Sequence, residues 1–259
     1  PAFIPTGNKG DIIFTAGWRE NELTIRYLSN GADGYCHAGN PTSSSNIQQL
    51  NGAKVANKTT PMLYSKPYSD YQNTPQYGIA DVSRMRKTGY HPSKPTYWIV
   101  KSNGQLVYDN ADMTNYSVQD VANFFGVLDE FKKGDVIVDL YTEWEENVLT
   151  INYMSNGAEQ WNDPNTVDGE GHTITDNIIN LDTSKNVIVH TDKIAYTQNV
   201  SDMKDKTHTA QYGLLDTGRL TKTGYHVMQL NGHDAWKIQG TNTIVDAEIT
   251  FERFKGTDV

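Results

Sequence analysis

Residues 139–159 read DLYTEWEENVLTINYMSNGAE, and pieces of this stretch recur elsewhere in the chain. Residues 149–159 (LTINYMSNGAE) repeat residues 23–33 (LTIRYLSNGAD), with eight of eleven positions identical at an offset of 126. Residues 211–226 (QYGLLDTGRLTKTGYH) repeat residues 76–91 (QYGIADVSRMRKTGYH), with ten of sixteen identical at an offset of 135. Matched segments in the same order at nearly the same offset mark a tandem duplication. Self-similarity on this scale outranks any local motif in deciding architecture.

The two ends fit the same scheme. Residues 10–21 (GDIIFTAGWREN) resemble 134–147 (GDVIVDLYTEWEEN), so the chain opens on what reads as the closing strand of an earlier unit. Residues 254–259 (FKGTDV) resemble 131–136 (FKKGDV), where such a strand begins. The expected organisation is a closing strand of a preceding repeat over 1–18, a first repeat over 19–146, and a second over 147–259 lacking its closing strand. In the alternative arrangement the strand within 10–18 pairs with the last unit and closes the chain on itself.

Each repeat is long enough to bury a core of its own. The composition, 37% hydrophobic and 20% charged with 15 Tyr, favours strands and loops over helical bundles. A net charge of −9 opposes binding to phosphate backbones, so nucleic acid is not an expected partner. Cys36 is the sole cysteine; no intrachain disulfide forms, and the residue reads as an incidental thiol able at most to link two chains. No apolar run approaches the roughly 18–20 residues of a membrane span.

Along the chain, residues 11–15 read as a strand. Residues 22–28 (ELTIRYL) alternate, placing Leu23, Ile25 and Tyr27 on one face and Thr24 and Arg26 on the other. Ser29-Asn30-Gly31 supplies a turn suited to positive φ. Residues 34–45 and 68–75 read as loops, 53–64 as strand material, and 79–85 as a short helix or turn. Residues 96–101 and 105–108 form hairpin arms around Ser102-Asn103-Gly104. The best helix covers 117–131, with Ser117 as N-cap, Asp120 in a variant capping box, and Val121, Ala122, Phe125 and Leu128 as its buried stripe. A strand over 136–144 closes the unit. The second repeat follows with strands at 149–154 and 187–190 and a region around Trp236. Residues 242–254 correspond to the helix, although 246–251 (DAEITF) alternates as a strand does.

Residues 140–145 (LYTEWE) followed by 149–158 (LTINYMSNGA) resemble the junction between Listeria–Bacteroides repeats, the B-repeats of internalin B and related proteins. Those repeats end in a Leu-Tyr-Ala-x-Trp-like strand and resume with a strand running into an Asn-Gly turn. Thr88-Gly89-Tyr90 with Trp98, and Thr223-Gly224-Tyr225 with Trp236, resemble the family's Thr-Gly-Tyr segment in mid-repeat. The Tyr-to-Trp spacing here is longer, His91 and His226 follow the Tyr, no Gly precedes either Trp, and the units exceed the usual repeat length. The resemblance implies an α+β, mainly β chain of tandem β-grasp-like repeats, each a curved mixed sheet packed on one helix. It brings no catalytic residues, cofactor or metal. It implies a stalk, spacer or adhesive module of a secreted or surface protein of a Gram-positive bacterium, anchored to the cell wall through parts outside these residues. Expected partners are neighbouring repeats and a host protein or glycan. A phage tail or virion module and a carbohydrate-binding or carbohydrate-active protein are the alternatives.

Among candidate site residues, Trp18, Trp144, Tyr90, Tyr225, Trp98 and Trp236 recur at matched positions and are expected in the two cores rather than on a sugar-stacking platform. Trp161, Tyr35, Tyr68 and Tyr71 belong to one unit each and are the better binding candidates. Asp163, Asn165, Asp168, Gly169 and Glu170 carry hard oxygen ligands on a turn. The fifth position is Val167 and the distal Glu is missing, so a solvated acidic loop is expected there. Glu143, Glu145 and Glu146 offer paired carboxylates of the kind glycoside hydrolysis needs, but their place at a unit boundary suits a charged edge. His91 and His226 each follow a Tyr and suit structural hydrogen bonds. Neither a nucleophile elbow nor a metal-binding His pair is present, and an enzyme is not expected. Loops 34–45 and 160–172 differ between the repeats and are the expected carriers of recognition.

Overall fold

The computed structural model describes residues 13–37, 47–71, 78–109, 111–163, 177–198 and 214–246. They are mainly β, with two short α-helices among them. The chain divides into two compact units. The first takes Pro1–Met85 and Lys94–Glu143; the second takes Arg86–Ser93 and Trp144–Val259. A hairpin from within the first sequence repeat therefore belongs to the second unit.

The elements run β1 (Glu22–Leu28), β2 (Gly34–Cys36), β3 (Ile47–Gln49), β4 (Val55–Lys58), β5 (Met62–Leu63), β6 (Met85–Arg86), β7 (Tyr90–Pro92), β8 (Tyr97–Val100), β9 (Leu106–Tyr108), α1 (Val118–Phe124), α2 (Leu128–Phe131), β10 (Val136–Tyr141) and β11 (Trp144–Glu146). β1 is the hub of the first unit. Its alternation buries Leu23, Ile25 and Tyr27 completely. β10 lies parallel to it, from Leu23 opposite Val136 to Tyr27 opposite Leu140, and β4 and β5 pair antiparallel on the other side. β8 and β9 extend the sheet beyond β10, giving the order β4-β1-β10-β8-β9. Arg26 and Asp139, directly opposed across the parallel pair, make a bidentate ion pair at 2.6 and 2.8 Å. The β8–β9 hairpin turns at Gly104 with φ 73°. Residues 82–84, within the segment read as a helix or turn, form a 3-10 turn.

α1 begins as the sequence indicates. The Ser117 side chain accepts from the Asp120 N–H, and the Asp120 carboxylate accepts from the Ser117 N–H, worth about 1 kcal/mol. Val121, Ala122 and Phe125 are buried. The helix does not continue to 131. Gly126 adopts φ 72°, its N–H donates to Asn123 O, and the Val127 N–H reaches back to Ala122 O at 2.9 Å. This Schellman pair ends α1 and lets α2 start in a new direction.

The strand expected over 136–144 is also two elements. Thr142 is buried, and its carbonyl accepts from Asn30 Nδ2 at 2.8 Å. β10 therefore stops at Tyr141 and β11 pairs elsewhere. Residues 13–15, read as a strand, have no strand conformation, and Ile13 and Phe14 are exposed. The rest of the segment read as that strand, residues 10–12, lies outside the described residues.

The second unit contains β12 (Val148–Met154), β13 (Gln160–Asn162), β14 (Ile178–Asn180), β15 (Ile188–Ala195), β16 (Leu220–Thr221), β17 (Gln229–Leu230), β18 (His233–Lys237) and β19 (Ile244–Asp246). β12 pairs antiparallel with β15, with a register shift between Tyr153 and Met154; β1 and β4 shift between Tyr27 and Leu28, the matched positions. Asn30-Gly31 and Asn156-Gly157 have φ of 44° and 82°, and 46° and 77°. The Tyr64 N–H donates to Asn21 O, and the Tyr196 N–H to Asn147 O. Tyr153, Trp161, Ile194, Leu214 and Leu215 form the buried core. Where a helix was expected over 242–254, Ile244–Asp246 is a strand pairing Val245 with Trp236, because its β-branched residues fit the half-buried face of β18. The remainder of that stretch lies outside the described residues.

Candidate functional site

The aromatic residues sort differently from their sequence reading. Trp98 is fully buried, donates its indole N–H to Ala80 O, and packs 5.0 Å from Tyr27. Trp236 repeats the arrangement toward Leu215 O and Tyr153, also at 5.0 Å. These two are core residues, as expected. Trp18 and Tyr225, also expected in the core, are 92% and 72% exposed.

The four loop aromatics fail as a platform in the opposite direction. Tyr35 and Trp161 are buried in β2 and β13. They stand 126 residues apart, the offset of the opening strands, and each fills its unit's core. Tyr68 is buried, and the half-buried Tyr71 accepts the Leu63 N–H on its hydroxyl at 2.6 Å. The segments 34–45 and 160–172 thus begin as strands, while residues 38–46 and 164–176 lie outside the described residues. Of the acidic stretch at 163–170 only Asp163 is described; its N–H donates to Asn177 O.

Glu143 and Glu145 point to solvent, 3.4 Å from Lys94 and 3.7 Å from His91 respectively. Cys36 is buried, which removes it from crosslinking in the folded state. Among the described residues no group of three or more His, Cys, Asp or Glu is gathered to hold a metal, and no helix is long and apolar enough to cross a membrane.

What the fold does bring together is the segment Lys87-Thr88-Gly89-Tyr90-His91 and the start of the second repeat. Gly89 turns the hairpin with φ 79°, and the Tyr90 N–H closes it on Lys87 O. β7 then pairs antiparallel with β11, setting Trp144 opposite Pro92, Glu145 opposite His91 and Glu146 opposite Tyr90. The Asn147 N–H donates to Gly89 O at 2.9 Å, and His91 Nδ1 lies 2.8 Å from Asn147 Oδ1. The Lys87 ammonium sits 4.0 Å from the Tyr90 ring centre and 5.9 Å from that of Trp144, a cation–π arrangement. A Cβ on Gly89 would fall 2.1 Å from a ring carbon of Tyr196. Glycine is required there twice, by conformation and by close approach. Thr197 completes the joint by hydrogen bonding Glu146, which holds that carboxyl below the usual range.

A second cluster is specific to the second unit. The Tyr153 hydroxyl donates to Asp192 Oδ2 at 2.8 Å, and His190 Nε2 lies 2.9 Å from Asp192 Oδ1. Asp192 is 3% exposed. Burial first, then the adjacent Asp192 charge, raises the Tyr153 pKa far above its ordinary value, so the phenol stays neutral and donates. The first repeat has no such group, since the residues in the same register beside Tyr27 and Ile25 are Asn57 and Thr59. With both carboxylate oxygens engaged and Tyr153 enclosed, the cluster orients His190 and buffers a buried charge.

No family model, no curated protein and no solved structure matches this chain.

Proposed function

We propose that this chain is a non-enzymatic tandem-repeat module of a bacterial cell-surface or secreted protein, serving as a spacer that presents a binding surface to a host protein or glycan. The observation that carries the reading is the agreement of matched residues in the two repeats. The same Asn-Gly turns, Trp-to-carbonyl hydrogen bonds and register shifts recur, whereas the segments between them differ in sequence. Selection for a repeated scaffold with variable connections has this signature. The mixed sheet of the first unit, with β1 and β10 parallel at its centre, supports the finer reading of β-grasp-like repeats related to the Listeria–Bacteroides family. The open setting of Glu143 and Glu145 favours a scaffold over a glycosidase.

Single-molecule pulling between the chain ends tests the spacer role. Two discrete unfolding events, one per unit, are expected. Extension without force peaks would contradict a load-bearing spacer, and glycan hydrolysis lost in Glu143→Gln or Glu145→Gln would overturn the non-enzymatic reading.

A further inference from the structure

We propose that the first unit bears tension along the chain, and that the seam between its first and last strands, β1 and β10, is the part that carries the load. The inference rests on the spacer reading for its use and goes further by naming the load-bearing element. The chain enters the sheet of the first unit at Glu22, the N-terminal end of β1, and leaves it at Tyr141, the C-terminal end of β10. The two strands are parallel neighbours in continuous register, from Leu23 opposite Val136 to Tyr27 opposite Leu140. Tension therefore draws β1 toward its own start and β10 toward its own end. The pull runs along the strands, so the evenly spaced, slanted hydrogen bonds of the parallel pair are loaded together rather than one after another.

Side chains fasten the same seam along its length. At its start the Asp135 carboxylate accepts the Glu22 N–H at 2.9 Å and pairs with Arg19 at 2.7 Å, while Asn21 Nδ2 donates to Phe131 O at 2.6 Å. Midway stands the bidentate Arg26–Asp139 pair, and at the far end Asn30 Nδ2 donates to Thr142 O. Each of these contacts joins residues 110 to 116 apart in the chain. Ion pairs open to solvent add little to the folding equilibrium, and the Arg26 and Asp139 side chains remain 34% and 18% exposed. A two-pronged pair set across the seam has a fixed geometry, and it resists sliding more than it stabilises the fold.

Sliding finds no second resting place. Side chains alternate along a strand, so a slip that keeps the buried faces together must cover two residues, roughly 7 Å. In the direction of the pull that register sets Arg26 opposite Ile137 and Asp139 opposite Leu28. Neither apolar side chain can replace the partner lost. The fully buried Leu23, Ile25 and Tyr27 leave their places opposite Val136, Val138 and Leu140 in the same step. The other pairings lie off this path. β4 shifts register against β1 between Tyr27 and Leu28, and β8 meets β10 only at Val100 and Ile99. Neither joins the strand that receives the tension to the strand that passes it on.

Force spectroscopy of the whole chain with paired cysteine handles tests this; the natural Cys36 is buried and takes no handle in the folded state. Handles at Gly17→Cys and Glu143→Cys shear the seam. Handles at Gly17→Cys and Lys133→Cys pull on the same end of both strands and peel it. Gly17, Lys133 and Glu143 are all exposed. Shearing is expected to need a several-fold higher force than peeling. Arg26→Met keeps an unbranched apolar stem; it is expected to lower the shear force and leave the peeling force nearly unchanged. Val107→Ala, in β9 outside the seam, is expected to unfold at lower urea yet keep nearly the parent's shear force, which separates load-bearing from ordinary support. Equal forces in the two geometries overturn the proposal, and so does an Arg26→Met chain as strong in shear as the parent. Force peaks between the chain ends combined with equal forces at the internal handles would keep the spacer reading and remove the seam alone.

Discussion

The hairpins Lys87–His91 and Lys222–His226 have the same five residues, the same glycine φ of 79° and the same lysine-over-tyrosine contact. The first is covered by β11 and Tyr196; among the described residues no strand or ring covers the second. Five residues thus suffice to shape the turn. What they do in the molecule depends on whether a Trp-x-Glu-Asn strand reaches them. The difference separates local from tertiary causes within one chain, with the second hairpin as the internal control.

Gly89→Ala against Gly224→Ala sharpens that contrast most. Both substitutions put a Cβ on a left-handed backbone, costing about 1 kcal/mol. Only Gly89→Ala also drives a methyl into the Tyr196 ring, so a total of about 2–4 kcal/mol is expected there. Urea unfolding of the two variants measures the gap, and equal losses would mean that the close approach carries no energy.

Tyr153→Phe probes the cluster that only the second unit has. Removing the hydroxyl leaves the buried Asp192 carboxylate short of a donor, an expected loss of about 1–3 kcal/mol. It should appear in probes of the second unit and leave the β1–β10 ladder of the first unchanged.

The first unit has its own buried acid. Asp109 accepts the Val82 N–H at 3.0 Å, and burial first, then neighbouring Asp81, raises its pKa above the ordinary 3.8. The folded state therefore holds the proton more tightly than the unfolded chain does. This contribution to stability is fully present below 3.8 and is lost as the pH rises through the raised value. Relative to Asp109→Asn, the wild type should gain stability on acidification toward 3.8; a constant difference would contradict the assignment. The depressed carboxyls, such as Asp135 beside Arg19, are common to both proteins and cancel.

The smallest effects belong to Trp18→Ala and Tyr225→Ala, whose side chains stand in solvent. Monomer stability should change by no more than about 0.5 kcal/mol in either. A larger loss would show that these aromatics support their units after all.

Much of this architecture was legible in the sequence where the cause is local. The alternation of 22–28, the Asn-Gly turns and the Ser117–Asp120 capping box are short-range effects, and each folds as read. Of the expected stripe, Val121, Ala122 and Phe125 are buried, whereas Leu128 falls in α2 and is only half-buried. The end of α1 was not legible, because Gly126 sits among good helix positions and only the Schellman bonds show that it terminates the helix. The break at Thr142 was invisible because it depends on Asn30, 112 residues away. Tyr35 and Trp161 were misplaced as loop aromatics because their strands are three residues long and bordered by Gly, Asn and Pro. Trp18 and Tyr225 were misplaced for a converse reason: recurrence in sequence does not say whether the matching partner is present. The Tyr153–Asp192–His190 cluster had one usable signal, the ionisable pair His190 and Asp192 on alternate positions of a strand.

The central claim is that the hairpin of the first repeat is a working part of the second unit. Amide hydrogen exchange in the wild type and Gly89→Ala tests it most directly. Loss of the docked hairpin should speed exchange at the Asn147 and Tyr196 amides and leave the β1–β10 amides from Leu23 to Tyr27 protected. Unchanged exchange at Asn147 and Tyr196, or faster exchange confined to the β1–β10 ladder, would contradict it.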